Sequence, residues 1–252
     1  MKNNIIIGIS FYFVALTGSG LFAQQVAQIA EKKWYQTNNI AELSIAANGT
    51  EFSPSLNIQH LHGIGKKQNF KIGYGLRFSS YFGQDKEYTT APAKLTSGEE
   101  GPQVLFSDFK KENIDTVFIK YPQVNSLNLF IVLQYTFFKK LDLGFNIDAI
   151  GFSFGGKHNG GYKLNESQAS NPYLSNQQVV PTTLNLLLVS DNDIGSLNSE
   201  LFLRYRFNSH WGMKGGFTFM FSEFTTENKL RLDNDRFRYK SSMAMLGVSY
   251  LF

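Results

Sequence analysis

The sequence predicts an all-β protein, a closed antiparallel transmembrane β-barrel of eight strands with short turns at one end and long loops at the other. Three observations predict it. Repeated stretches alternate apolar with polar or small side chains, the period-two pattern of strands that separate two environments. Short polar turns and long polar loops follow these stretches in alternation, as the connections of a spanning barrel do. The 24 phenylalanines and 12 tyrosines are spread through the chain, as aromatic girdles at two membrane interfaces require.

Composition narrows the function classes. The chain has no cysteine, which excludes a disulfide framework and thiolate chemistry. Its formal charge of +4 comes from interspersed signs, not from a basic patch, and gives no sign of nucleic-acid binding.

Residues 1–23 have the order of a secretory signal peptide. Lys2 supplies the charged start, Ile5 to Leu16 the apolar run, and Ala23 a small residue at the cleavage point. The other reading, an uncleaved anchor, needs roughly 20 apolar residues, more than this run provides. Residues 24–39 form a loose leader in which Val26, Ile29, Ala30 and Trp34 can make a turn or two of amphipathic helix. The barrel domain is then expected over 40–252.

The first strand sets Ala41, Leu43, Ile45 and Ala47 against Glu42, Ser44 and Ala46 and ends at the turn dipeptide Asn48-Gly49. The second returns with Phe52, Pro54, Leu56, Ile58 and His60 outward. After the turn Gly65 to Gln68, the third alternates Phe70, Ile72, Tyr74, Leu76 and Phe78 with Lys71, Gly73, Gly75 and Arg77. A long polar loop is expected from Gly83 to about Gln123, with Thr116 to Tyr121 extending a strand beyond the membrane. Strands four (Leu127 to Phe137) and five (Leu141 to Ala149) form a hairpin about Lys139-Lys140. A second long loop, Gly155 to about Asn192, contains Gly160-Gly161, Asn171-Pro172 and the apolar piece Leu184 to Val189, readable as a loop hairpin, an inward plug or an extra strand. Strand six puts Leu197, Leu201, Leu203, Tyr205 and Phe207 outward, and strand seven Trp211, Met213, Gly215, Phe217, Phe219 and Phe221, joined by Asn208-Ser209-His210. Adding Thr116 to Tyr121 and Leu184 to Val189 makes ten strands and preserves an even count.

The last strand, Lys240 to Phe252, alternates as cleanly: Lys240, Ser242, Ala244, Leu246, Val248, Tyr250 and Phe252 share one face, and Tyr239, Ser241, Met243, Met245, Gly247, Ser249 and Leu251 the other. Gly247, Tyr250 and Phe252 resemble the C-terminal assembly signal of bacterial outer-membrane β-barrels, although Met245 stands where that pattern favours a polar residue. Over nearly its whole length the chain resembles the small OmpA/OmpX-type and porin-like barrel family. The resemblance implies an outer-membrane location, periplasmic turns, extracellular loops, outer-membrane lipid and the barrel-assembly machinery as partners, and a ligand or envelope protein at the loops. It implies a structural or surface-interaction role and no cofactor.

The inward face collects Glu42, Lys71, Arg77, Asp142, Asp148, Glu200, Arg204, Arg206 and Lys214. Side chains fill an eight-stranded interior, so these charges are expected to pair across the lumen as a structural network. The alternative is a narrow, weakly anion-selective channel, motivated by the excess of bases over acids. Catalysis is not expected. Barrel-type lipid-modifying enzymes rely on a histidine with a serine, and here only His158, beside Ser153, lies near the outer rim, while His60, His62 and His210 fall at the inner end. Asp191-Asn192-Asp193 lacks the spacing of a calcium loop, with Ser196 in place of its glycine and Phe202 in place of its closing glutamate, and is expected to be a polar turn.

Overall fold

The computed structural model describes residues 38–99, 101–106, 108, 110–165 and 175–252. The expected signal peptide, nearly all of the expected leader and the Asn171-Pro172 dipeptide lie outside these residues. No described helix is long and apolar enough to cross a membrane.

Among the described residues thirteen strands form one antiparallel sheet, in place of the eight or ten expected. They are β1 (Asn39–Asn48), β2 (Glu51–Ile64), β3 (Phe70–Gly83), β4 (Lys86–Thr90), β5 (Thr116–Ile119), β6 (Gln123–Phe137), β7 (Leu141–Phe154), β8 (His158–Lys163), β9 (Ser175–Pro181), β10 (Leu184–Leu186), β11 (Leu197–Arg206), β12 (Trp211–Thr226) and β13 (Arg236–Leu251). The long ones close a ring of eight in the order β1-β2-β3-β6-β7-β11-β12-β13, and β13 returns to β1 through eight residue pairs from Ile40↔Leu251 to Ala47↔Ala244.

The surplus strands come from the long loops, because backbone groups there find partners in each other. At the outer end β12 and β13 run on past the ring, and β4, β5, β8 and β9 pair from one to the other, closing a second ring of six. β10 pairs with Ile150 to Phe152 of β7 above Ile147, where pairing with β11 stops. The Leu184 to Val189 piece is therefore a short strand on the sheet edge followed by loop, and not an inward plug.

Alternation decides which face each residue takes. On β13, Ser241, Met243, Met245, Ser249 and Leu251 are buried while Leu246, Val248, Tyr250 and Phe252 are exposed. Strand five corrects one expectation: it runs to Phe154, with a β-bulge at Ala149 between Asp148↔Phe130 and Ile150↔Leu129. The extra residue flips the following side chains, so Ile150, Phe152 and Phe154 all face outward while Asp148 stays inside. Leu197, expected outward, is buried where it shares a cleft with Leu187 and Asp191 of the overlying segment. The turn expected at Lys139-Lys140 is centred one residue earlier, with Phe138 and Lys139 both left-handed at φ 48° and 63°, as a tight hairpin turn requires.

Candidate functional site: the charged interior of the ring

Burial is inverted in the ring of eight. Leu43, Leu56, Ile58, Tyr74, Leu129, Leu203, Phe217 and Leu246 stand exposed on its outside, while the inside carries the charges. Inward glycines make room for large inward neighbours. A Cβ on Gly75 of β3 would overlap the Phe130 ring of β6, and one on Gly144 of β7 would overlap the Phe202 ring of β11. Those rings in turn seat cations: the Arg77 guanidinium lies 4.9 Å from the Phe130 centroid, Arg204 5.0 Å and Lys214 4.4 Å from that of Phe202.

The nine inward charges sit in one interior and are all nearly fully buried. Asp148 and Glu200 meet Arg77 at 2.8 and 3.2 Å. Glu200 accepts from Lys214 at 2.6 Å and from the Asn146 amide at 2.7 Å. Glu42 bridges the opposite wall, accepting from Arg204, from Lys214 at 3.0 Å and from the Ser249 hydroxyl at 2.8 Å. Asp142 takes the Arg206 fork at 2.6 and 2.9 Å and Arg204 at 3.4 Å. Lys71, also buried, has Asp142, Arg204 and Arg206 as its charged neighbours. Each acid thus touches a base on another strand, and Glu42, Glu200 and Asp142 each touch two. Buried charge is tolerated only when paired and hydrogen-bonded in this way.

Midway along the β1–β13 seam, Gly247 faces Ser44, where a Cβ would come within 2.7 Å of the Ser44 Cβ. Glycine therefore lets the closing strands approach. Tyr250 and Phe252 point outward with ring centroids 6.0 Å apart, and Trp211 and His210 pack on Tyr250 at 5.1 and 5.9 Å. The Phe252 N–H donates to the Asn39 carbonyl at 3.0 Å.

The outer end is built the other way round. Tyr88, Val117, Tyr162, Val179, Phe224 and Phe237 of the six-stranded ring form one apolar cluster with Ala46, Met220, Met243 and Met245 at the outer end of the larger ring. Sequence reasoning missed the ion pairs around this cluster. Glu51 joins Lys86 at 2.5 Å, Glu223 joins Arg236 at 2.6 Å and Arg238 at 2.8 Å, and Asp115 joins Arg231 at 2.9 Å. Burial disfavours the Lys86 ammonium, but the bonds to Glu51 and Tyr239 outweigh it and hold the pKa above its ordinary value. Tyr162 is pushed up to about 12 by burial and by the hydrogen bond it donates to Asp115.

The structure does not bring Ser153 and His158 together as a catalytic pair. The Ser153 hydroxyl donates to Asn185 at 3.0 Å, and the His158 ring packs edge-on against Phe224 at 5.5 Å. His60 and His62 face each other at 4.5 Å beside Tyr74, at the inner end. Among the described residues no three His, Cys, Asp or Glu side chains gather as a metal ion would need. Asp191 and Asn192 lie in a short 3-10 turn.

No protein-family model matches the chain, and no curated protein does. Solved structures that align with it include Neisserial surface protein A, at 9% identity over 86% of this chain and 96% of that one, TM-score 0.37. The Yersinia pestis outer membrane protein Ail aligns at 11% identity over 86% and 99%, TM-score 0.35. A major outer membrane protein of Thermus thermophilus aligns at 11% identity over 86% and 99%, TM-score 0.36. At these scores the architecture rests on the strand pairing itself.

Proposed function

We propose that this chain is an integral bacterial outer-membrane β-barrel with a structural or surface-interaction role in the cell envelope and no catalytic activity. The observation that supports this reading is the inversion of burial: the ring of eight carries its charges inside at close to zero exposure and its leucines, isoleucines and phenylalanines outside. In water each such apolar side chain would forgo about 1.5–3 kcal/mol of burial. In a bilayer the same outer surface is at home, and a closed sheet leaves no backbone edge unpaired. The six-stranded extension, with its own apolar cluster, is then the part offered to the outside.

Paired interior charges favour a closed lumen over the channel reading. The test is conductance of the full purified chain, refolded into a planar bilayer. We expect stable insertion without steady current. Ion-selective steps that change when Arg77 or Arg204 is neutralised would replace this reading with a narrow channel. Deleting Phe252 should impair assembly, and normal insertion of the truncated chain would count against the terminal signal.

A further inference from the structure

The outward face of the ring carries a cleft of 530 Å³ where β7, β11, β12 and β13 pass beneath the segment between β10 and β11, a volume within the roughly 300–1,000 Å³ typical of ligand sites. Its floor is apolar, with Ile147, Leu197, Phe219 and Phe221, and its charged lining is Asp191, Asp193, Arg238 and Lys240, with the Arg238 guanidinium 4.6 Å over the Phe221 ring. The cleft thus straddles the point where the apolar belt ends: along β12–β13, Phe219 stands opposite Ser242 and the next outward residue, Phe221, opposite Lys240.

Asp191 and Lys240 form a more open pair than the ion pairs around the apolar cluster. Lys240 Nζ meets Asp191 Oδ1 at 2.7 Å with the lysine side chain 65% exposed, whereas the nearby Arg238 is buried and held by Glu223 at 2.8 Å. Two smaller hollows of 380 and 430 Å³ also reach Asp191, so the pair stands among open spaces instead of being packed over. With the lysine largely in solvent and the aspartate side chain 18% exposed, the pair contributes little, and opening it costs little if a ligand supplies the opposite charge to each partner. A purely anionic head would gain the lysine and be repelled by the aspartate. A choline head carries positive charge but no N–H to donate.

We propose that this cleft holds a membrane amphiphile with a phosphoethanolamine head, its phosphate on Lys240, its ammonium on Asp191 and an acyl chain along Phe219 and Ile147. The proposal rests on the membrane reading above. The test uses the full chain refolded into vesicles of equal parts phosphatidylethanolamine, phosphatidylcholine and phosphatidylglycerol, with insertion checked by protease protection and retained lipid counted by native mass spectrometry after transfer to detergent. The expected result is retention of phosphatidylethanolamine over either other lipid by about threefold or more. Asp191→Ala should abolish the preference over phosphatidylcholine, and Lys240→Ala should weaken retention of all three. Equal retention by inserted wild type, a preference for phosphatidylglycerol, or an unchanged preference in both variants would each overturn the site. Failure to insert would instead overturn the membrane reading.

Discussion

The two closed rings of this chain share β12 and β13 and solve opposite problems. In the ring of eight the interior is ionic and the exterior apolar, while in the ring of six the interior is the apolar cluster around Tyr88, Phe224 and Phe237 and the ion pairs lie around it. A single strand passes from one regime to the other without losing its alternation. Inward residues of β12 change from Gly212, Lys214 and Thr218 to Met220 and Phe224. Strand geometry fixes only which residues share a face, and the medium outside decides which face must be apolar.

The difference is sharpest where a charge is removed. Arg204→Leu leaves Glu42, Asp142 and the Gln134 carbonyl oxygen without their shared donor. Breaking a buried pair this way should cost about 3–5 kcal/mol, read as a lower midpoint of denaturant unfolding in vesicles. A midpoint that did not move would mean that water reaches these carboxylates and the interior is not dry.

The matching cut in the extension is Phe224→Ala, which opens a cavity under Tyr88 and His158 and should cost about 3–5 kcal/mol of local stability. Hydrogen exchange should show β4, β5, β8 and β9 losing protection while β2, β3 and β6 keep theirs. Equal loss in both sets would make the two rings one cooperative unit.

Gly144→Ala tests the glycine–aromatic fit inside the larger ring. The added methyl overlaps the Phe202 ring, and overpacking of this kind costs about 1–3 kcal/mol. Trimming the ring in a Gly144→Ala, Phe202→Leu double variant should recover part of the loss, as shown by a double-mutant cycle on the same unfolding midpoint.

The smallest effect is one of pH, confined to the extension. Burial lowers the His158 pKa below 6.5. The unfolded chain therefore binds the proton more readily than the folded one, so His158's contribution to stability is complete above pH ~6.5 and is lost as pH falls below it toward the folded value. Thermal melting of the extension should drop modestly between pH 7.5 and 5.5, and His158→Phe should flatten that dependence. A drop of the same size in the variant would assign it to other groups.

Much of the larger ring was legible because its signal is local. Leu127 to Phe137 and Lys240 to Phe252 declare two faces by neighbour spacing alone, and the inward sets they define contain the residues that meet in the interior. Of the extension only β5 was legible, Thr116–Ile119 falling within the expected strand Thr116 to Tyr121; β4, β8 and β9 have five to seven residues each and lie in loops too polar and too rich in glycine to show a period. Its ion pairs join Glu51 to Lys86, Asp115 to Arg231 and Glu223 to Arg236 and Arg238. A further signal was on strand seven, where the apolar side chain passes from the outward Phe221 to the inward Phe224 across Ser222 and Glu223. The bulge at Ala149 was hidden because one extra residue between two outward stretches leaves each stretch looking regular.

The sequence by itself determined the period of each long strand, the short turns between strands at the inner end, and which charges share the inward face, because these depend on neighbours two residues apart. Only the tertiary structure decided that Arg204 lies between Glu42 and Asp142, that β13 closes on β1 at Gly247, and that the loops build a second ring. Those outcomes depend on the register between strands distant in the chain, which is set when the sheet closes and every backbone donor finds its partner.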